Sequence, residues 1–172
     1  MVKFYLAVVL AGVLAMAALA DDLKVDLQAV VASGEVRPVD GISAAGQPDE
    51  AALRVFADRG YAAVIDLRAE HEPRGLDEQA VVERLGMDYV LMPITDTAAI
   101  NFENARRLDE LLKQYDEPVL IHCGSSNRVG ALLALRESLN GADDASALQV
   151  GKDGGLTGLE RRVIEVLGEN RE

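Results

Sequence analysis

Between residues 42 and 139, apolar runs of strand length alternate with stretches whose apolar residues recur at helical spacing. This alternation constrains the fold of the 172-residue chain more than any other feature. Ile42 to Pro48 reads as a short strand ended by a proline turn. Asp49 opens a helix through Arg59, with Ala52, Val55 and Phe56 on one face and Gly60 at its end. Tyr61 to Leu67 is an apolar strand, Leu76 to Leu85 a helix closed by Gly86, and Met87 to Met92 a strand stopped by Pro93. Phe102 to Tyr115, Val119 to Ile121 and Val129 to Leu139 repeat the pattern as helix, strand and helix. Strands separated by helices are joined by crossovers, so the expected class is α/β, with a mainly parallel central sheet flanked by helices. That class binds ligands at the carboxyl ends of its strands. Further helices at Asp143–Gly151 and Thr157–Leu167 would cover the sheet or the helix after residue 129.

The ends of the chain read differently. Lys3 is followed by an apolar stretch, Phe4 to Leu19, and then by Ala18-Leu19-Ala20 and Asp21-Asp22. A basic start, an apolar core and an Ala-x-Ala site are the marks of a secretory signal peptide over residues 1–20. The stretch is about 16 residues, short of the about 20 that a membrane-spanning helix needs. Residues 21–40 read as a linker with a short helix at Leu23–Ala32, and residues 41–172 as one domain. Removing residues 1–20 takes away Lys3, their only charge, and moves the formal charge from −12 to −13. A chain this acidic has no field for nucleic acid or anionic membrane, so any bound anion must be held locally. The expected location is periplasmic or secreted.

The local holder is legible in Ile121-His122-Cys123-Gly124-Ser125-Ser126-Asn127-Arg128-Val129-Gly130. A strand, a small polar loop and a helix start make an anion cradle, because N–H groups at a helix N-terminus point at a bound oxyanion and the helix dipole adds to the attraction. The same surroundings favour a nucleophilic thiolate at Cys123, the chain's single cysteine. His71 reads as solvated. Arg68 reads as one half of a structural ion pair with Glu70, Glu72 or Asp66. Asn127 reads as a brace for the loop, and Gly46-Gln47-Pro48 as a structural turn bordering the site.

His-Cys-x-x-x-x-Arg after a buried strand resembles the signature loop of the cysteine-dependent protein tyrosine phosphatase superfamily. Ala45-Gly46-Gln47-Pro48, Val64-Ile65-Asp66-Leu67-Arg68 and the stretch from His122 to Leu135 together resemble the phosphatase-like domain of the beta-lactamase hydrolase-like family, over about residues 35–150. The resemblance implies a dual-specificity-phosphatase-like fold that needs no metal or cofactor. It implies Cys123 as nucleophile and Arg128 as the fork that clamps two substrate oxygens. The loop from Gly124 to Asn127, with Ser125 and Ser126, would bind the remaining charge through backbone N–H groups, and His122 would support the loop. A leaving oxygen needs an acid, and Asp96, in Pro93-Ile94-Thr95-Asp96-Thr97 after a strand, is the candidate. Asp96 as a plain turn or helix cap is the competing reading.

Two departures keep the chemistry open. The superfamily usually places five residues between cysteine and arginine, where this chain has four. It often has a hydroxyl residue after the arginine, where this chain has Val129; Ser125 or Ser126 would have to substitute. Four is also the spacing of rhodanese-type sulfurtransferases. The partner is therefore a phosphorylated small molecule or protein, or a sulfane sulfur donor. A non-catalytic anion-binding module is the third reading.

Overall fold

The structure is a computed structural model that describes residues 22–169; the expected signal segment lies outside them. Four strands, β1 (Ile42–Ala45), β2 (Ala63–Asp66), β3 (Asp88–Leu91) and β4 (Val119–His122), form one sheet in the order β1-β4-β2-β3. Every pairing is parallel, with Ile42 and Ala63 both opposite Val119 in the register. The α/β class expected from the alternation is the one observed. β4 lies in the interior of the sheet, although it is last in sequence.

Among the described residues seven helices accompany the sheet: α1 (Leu27–Ser33), α2 (Glu50–Asp58), α3 (Glu78–Arg84), α4 (Phe102–Leu112), α5 (Asn127–Leu139), α6 (Asp144–Asp153) and α7 (Glu160–Glu169). Alternate strand residues serve opposite faces, as the two-residue period of a strand requires. Val64 and Leu120 pack in a core with Val30, Leu53, Phe56 and Val82 from α1, α2 and α3. Ile65 and Ile121 pack in the other core with Leu108, Leu132 and Val163 from α4, α5 and α7. α5 is buried from Val129 to Leu135, as expected of a helix apolar on all sides. Gly130 is what lets α6 approach it. A Cβ there would stand 2.3 Å from both the Gly151 carbonyl oxygen and the Leu156 nitrogen.

The first helix differs from expectation. It starts at Leu27, because Asp26 caps it by accepting from the Gln28 and Ala29 nitrogens. Residues 23–25 are extended instead and run along the free edge of β1: the Ala44 nitrogen donates to Leu23 O at 2.7 Å and the Val25 nitrogen to Ala44 O at 2.9 Å. The edge offered unpaired backbone groups, and satisfying them outweighs the weak helical preference of three residues. α5 begins two residues before the expected Val129, and β4 runs one residue past Ile121, so only residues 123–126 separate strand from helix.

Candidate active site

Cys123 follows the last residue of β4 and is 1 % exposed. Its nitrogen donates to Ala45 O, which ties the start of the loop to β1. Gly46 continues that tie. It bridges to Ser125, and a Cβ on Gly46 would press on the Gly124 carbonyl oxygen at 3.2 Å. The turn of Gly46-Gln47-Pro48 and the cysteine loop therefore lie against each other, as a border to the site requires. Gly124 and Ser125 are exposed above the buried sulfur.

Ser126 ends the loop in the left-handed region, at φ 72°, and opens α5 without capping it. Its hydroxyl donates instead to the Gly154 carbonyl at 2.7 Å, so its proton is directed away from the cysteine. Ser125 is exposed. Ser126 therefore does not stand as the hydroxyl that Val129 lacks. Asn127 braces the next loop: its Oδ1 accepts from the nitrogens of Thr157 at 2.8 Å and Leu159 at 3.4 Å.

Arg128 sits in the first turn of α5 and is held from behind. Nη1 and Nη2 donate to Oε1 and Oε2 of Glu72 at 2.6 and 2.8 Å, a two-pronged pair. Nη1 also reaches Ile94 O at 3.1 Å. Glu72 lies in the loop after β2 and is steadied by the Ala69 nitrogen, which donates to Oε1 at 2.8 Å. Its hydrogen bonds from Arg128 hold its pKa down at about 2. The guanidinium pKa is raised in return, first by that pair and further by the nearby Cys123. Arg128 and Cys123 thus face each other across the loop.

Asp96 lies in the loop that supplies Ile94 O to Arg128. It caps the 3₁₀ turn Thr97–Ala99, with Oδ1 accepting from the Ala99 nitrogen at 2.9 Å. The residue is exposed, and its second oxygen makes no hydrogen bond among the described residues. The capping role read from the sequence is real, and it leaves one oxygen free for an acid role. His71 is exposed, as expected. Arg68 pairs with Glu72 at 3.5 Å, one of its three foreseen partners; Asp66 is taken by Arg74 at 2.6 Å and Tyr89 at 2.9 Å.

His122, one residue before the cysteine, is fully buried. Its Nε2 stands 2.6 Å from Oε1 of Glu78, the first residue of α3. Nε2 also stands 3.8 Å from Asp66 Oδ1, yet neither Nε2, Nδ1 nor Glu78 Oε1 has an aligned hydrogen-bond partner among the described residues. Asp66, Glu78 and His122 are the one set among the described residues that bring three donor atoms within 4.8 Å. Two ligands each about 2.0 Å from one tetrahedral ion would lie about 3.3 Å apart, so the 2.6 Å contact is a poor fit to a metal.

Sequence reasoning placed Cys123, Arg128 and their loop together, and it missed the carboxylates behind them. Glu72 had a signal, being an acid between Arg68 and Arg74 at the sheet edge where Arg128 needs a counter-charge. Glu78 had none, because it reads as an ordinary acidic residue in the first turn of a helix.

The fold is that of the dual-specificity protein tyrosine phosphatases. A Neisseria meningitidis protein superposes with a TM-score of 0.61 at 20 % identity, over 73 % of this chain and 91 % of its own. A Shewanella putrefaciens protein of the DUF442 type gives 0.59 at 22 %, over 77 % and 85 %. Pseudomonas aeruginosa TpbA, solved as a cysteine-to-serine variant in complex with phosphotyrosine, gives 0.56 at 18 %, over 83 % and 85 %. The chain itself belongs to the family described as a DSP-PTPase phosphatase fused to NAD+ kinase, whose profile matches residues 33–153. It is also 33 % identical over 135 residues to a beta-lactamase hydrolase-like protein of Xylella fastidiosa, a match over 72 % of this chain. The chain spans about a third, 31 %, of that relative's length.

Proposed function

We propose that the protein is a cysteine-dependent phosphoric monoester hydrolase, exported through residues 1–20, with Cys123 as nucleophile, Arg128 as clamp and Asp96 as acid. The observation that carries the reading is the carboxylate-braced Arg128 facing a buried cysteine at the start of α5. The Cys123 thiolate attacks phosphorus, the S–P bond forms and the P–O ester bond breaks. The leaving oxygen takes the bond's electron pair and a proton from Asp96. Water then attacks the phosphocysteine and gives its proton to Asp96, and the S–P bond breaks with its electron pair returning to sulfur. Orthophosphate leaves and the thiolate is restored. Arg128 and the backbone N–H groups from Gly124 to Arg128 carry the negative charge throughout, aided by the positive end of α5. The substrate is a phosphorylated small molecule or protein.

A second reading rests on Ser126. With its hydroxyl committed to Gly154 O and Val129 after the arginine, the returning thiolate lacks a hydroxyl donor. That suits a sulfur carried on Cys123 as a persulfide from a sulfane donor. One experiment separates the readings: offer an aryl phosphate and thiosulfate to the protein and follow phosphate release and the mass of Cys123. Phosphate release that disappears in Cys123→Ser supports the hydrolase. One added sulfur without phosphate release supports the carrier. Neither event, together with a melting temperature raised by phosphate, leaves an anion-binding module.

A further inference from the structure

The Gly46-Gln47-Pro48 turn has a role beyond its backbone. We propose that Gln47 is a positioning residue that couples the strand bearing the nucleophile to the anion clamp. The inference rests on the assignment of Cys123 and Arg128 above. A row of polar side chains runs behind the site. His122 Nε2 lies in close contact with Glu78 Oε1, 2.6 Å away but not aligned as a hydrogen bond. Glu78 Oε2 accepts from Gln47 Nε2 at 2.9 Å. Gln47 Oε1 accepts from Arg68 Nη1. Arg68 Nε meets Glu72 Oε2 at 3.5 Å, and Glu72 holds Arg128 by both nitrogens. His122 precedes the nucleophile and Arg128 is the clamp, so the two ends of this row are the two halves of the proposed chemistry.

Gln47 is the link whose chemistry is most restricted. It must accept from a guanidinium and donate to a carboxylate at the same time. A guanidinium has no acceptor and an ionised carboxylate no donor, so the amide can stand in one orientation only. A carboxylate at this position would face Glu78, and a cation would face Arg68. Its partners are dry, Arg68 being 5 %, Glu78 1 % and His122 0 % exposed, while Gln47 itself is half-buried. A mismatch on the side of those partners is poorly relieved by water. Arg68 is further fixed by donation to Pro73 O and by its own nitrogen, which donates to Asp66 Oδ1 at 2.8 Å. The backbone of the same turn touches the cysteine loop through Gly46 and Ser125. A shift of Gln47 is therefore felt at both ends.

The test exchanges the polarity of the pair. Gln47→Glu sets two carboxylates against each other. Gln47→Glu combined with Glu78→Gln places a donor opposite an acceptor again, keeps Arg68 on an acceptor and leaves an oxygen for His122. Three quantities are read: kcat and KM for an aryl phosphate, the rise in melting temperature caused by inorganic phosphate, and the rate of Cys123 alkylation by iodoacetamide. The single variant is expected to lose about tenfold or more in kcat and in alkylation rate, and most of the phosphate-induced rise, as for loss of hydrogen bonds to charged groups. The exchanged pair is expected to recover to within about threefold of the parent on each. Retention of all three by the single variant, or an exchanged pair no better than the single, overturns the proposal. Should Gln47→Glu fail to fold, Gln47→Met removes the hydrogen bonds without adding charge, and unchanged alkylation and phosphate response in that variant overturn it equally. Alkylation and phosphate binding need no turnover. A parent that does not hydrolyse aryl phosphate while both responses behave as stated refutes the hydrolase and leaves the coupling standing.

Discussion

Replacing Glu72 with glutamine removes one charge and keeps the side chain's shape. In the folded protein the Glu72 carboxyl titrates at about 2 rather than 4.5, chiefly because Arg128 donates to it. Such a depression corresponds to about 3 kcal/mol at face value. The side chain is 26 % exposed, and solvent screening brings the contribution to about 1–2 kcal/mol. Because the folded value is depressed, this stability is fully present above about pH 4.5 and disappears as pH falls toward about 2. For a chain of this size it corresponds to about 3–6 °C in melting temperature. Thermal melts of parent and Glu72→Gln, followed by circular dichroism between pH 7 and pH 2.5, read it directly. The gap between the two should be constant from pH 7 to pH 5 and then close as the parent's carboxyl takes up its proton. A gap absent at neutral pH, or one just as wide at pH 2.5, refutes the reasoning. Turnover follows the same pair: a clamp without its carboxylate should lose about 10- to 100-fold in kcat/KM on an aryl phosphate.

Other outcomes follow from other contacts. Asp96→Asn should lower kcat by about 10²- to 10³-fold on an alkyl phosphate and much less on a nitrophenyl ester, whose leaving group needs no proton; equal losses on both would remove Asp96 from the acid role. Gly130→Ala should cost at least about 2–3 kcal/mol in denaturant unfolding, because its methyl would meet the Gly151 and Leu156 backbones at 2.3 Å. Ser126→Ala should be less stable than Ser126→Gly by about 1 kcal/mol. Both lose the bond to Gly154 O, and glycine alone is at ease at φ 72°. Equal stability of the two would show that the loop relaxes out of that conformation.

The parts of the fold that were legible in the sequence are those set by short-range physics. Asp49 and Gly60 bounded α2 because a cap and a left-handed stop act within one turn. The run from Val119 read as a strand because its residues are apolar on both faces, as an interior parallel strand requires. The cysteine loop was legible because its parts are contiguous. What escaped are contacts between distant segments. Residues 23–25 looked helical until the free edge of β1 was there to pair with them. Ser126 looked like a donor for the thiolate until Gly154, brought over by α6, offered it a carbonyl. Glu72 reaches Arg128 across 56 positions, and no local pattern announces that pairing. Gln47 sits in a turn whose residues explain themselves by conformation alone, which hid the side chain's two polar obligations.

β4 is the last strand to leave the ribosome and the one that joins the others. It inserts between β1 and β2, and β1 has no strand partner without it. Until residues 119–122 are in place, β1 and β2 both present open edges, and the sheet exists only as the β2–β3 pair. The late strand also ends at the cysteine, and the partners that brace its loop lie at Gly46, Glu72, Glu78 and Gly154. The thiol therefore gains its clamp and its helix terminus in the same event that closes the sheet. Under the proposed function, the parts of the site therefore come together only with the completed fold. Parallel pairings across such sequence distances form slowly, so phosphate binding that appears during refolding would mark the final step of assembly.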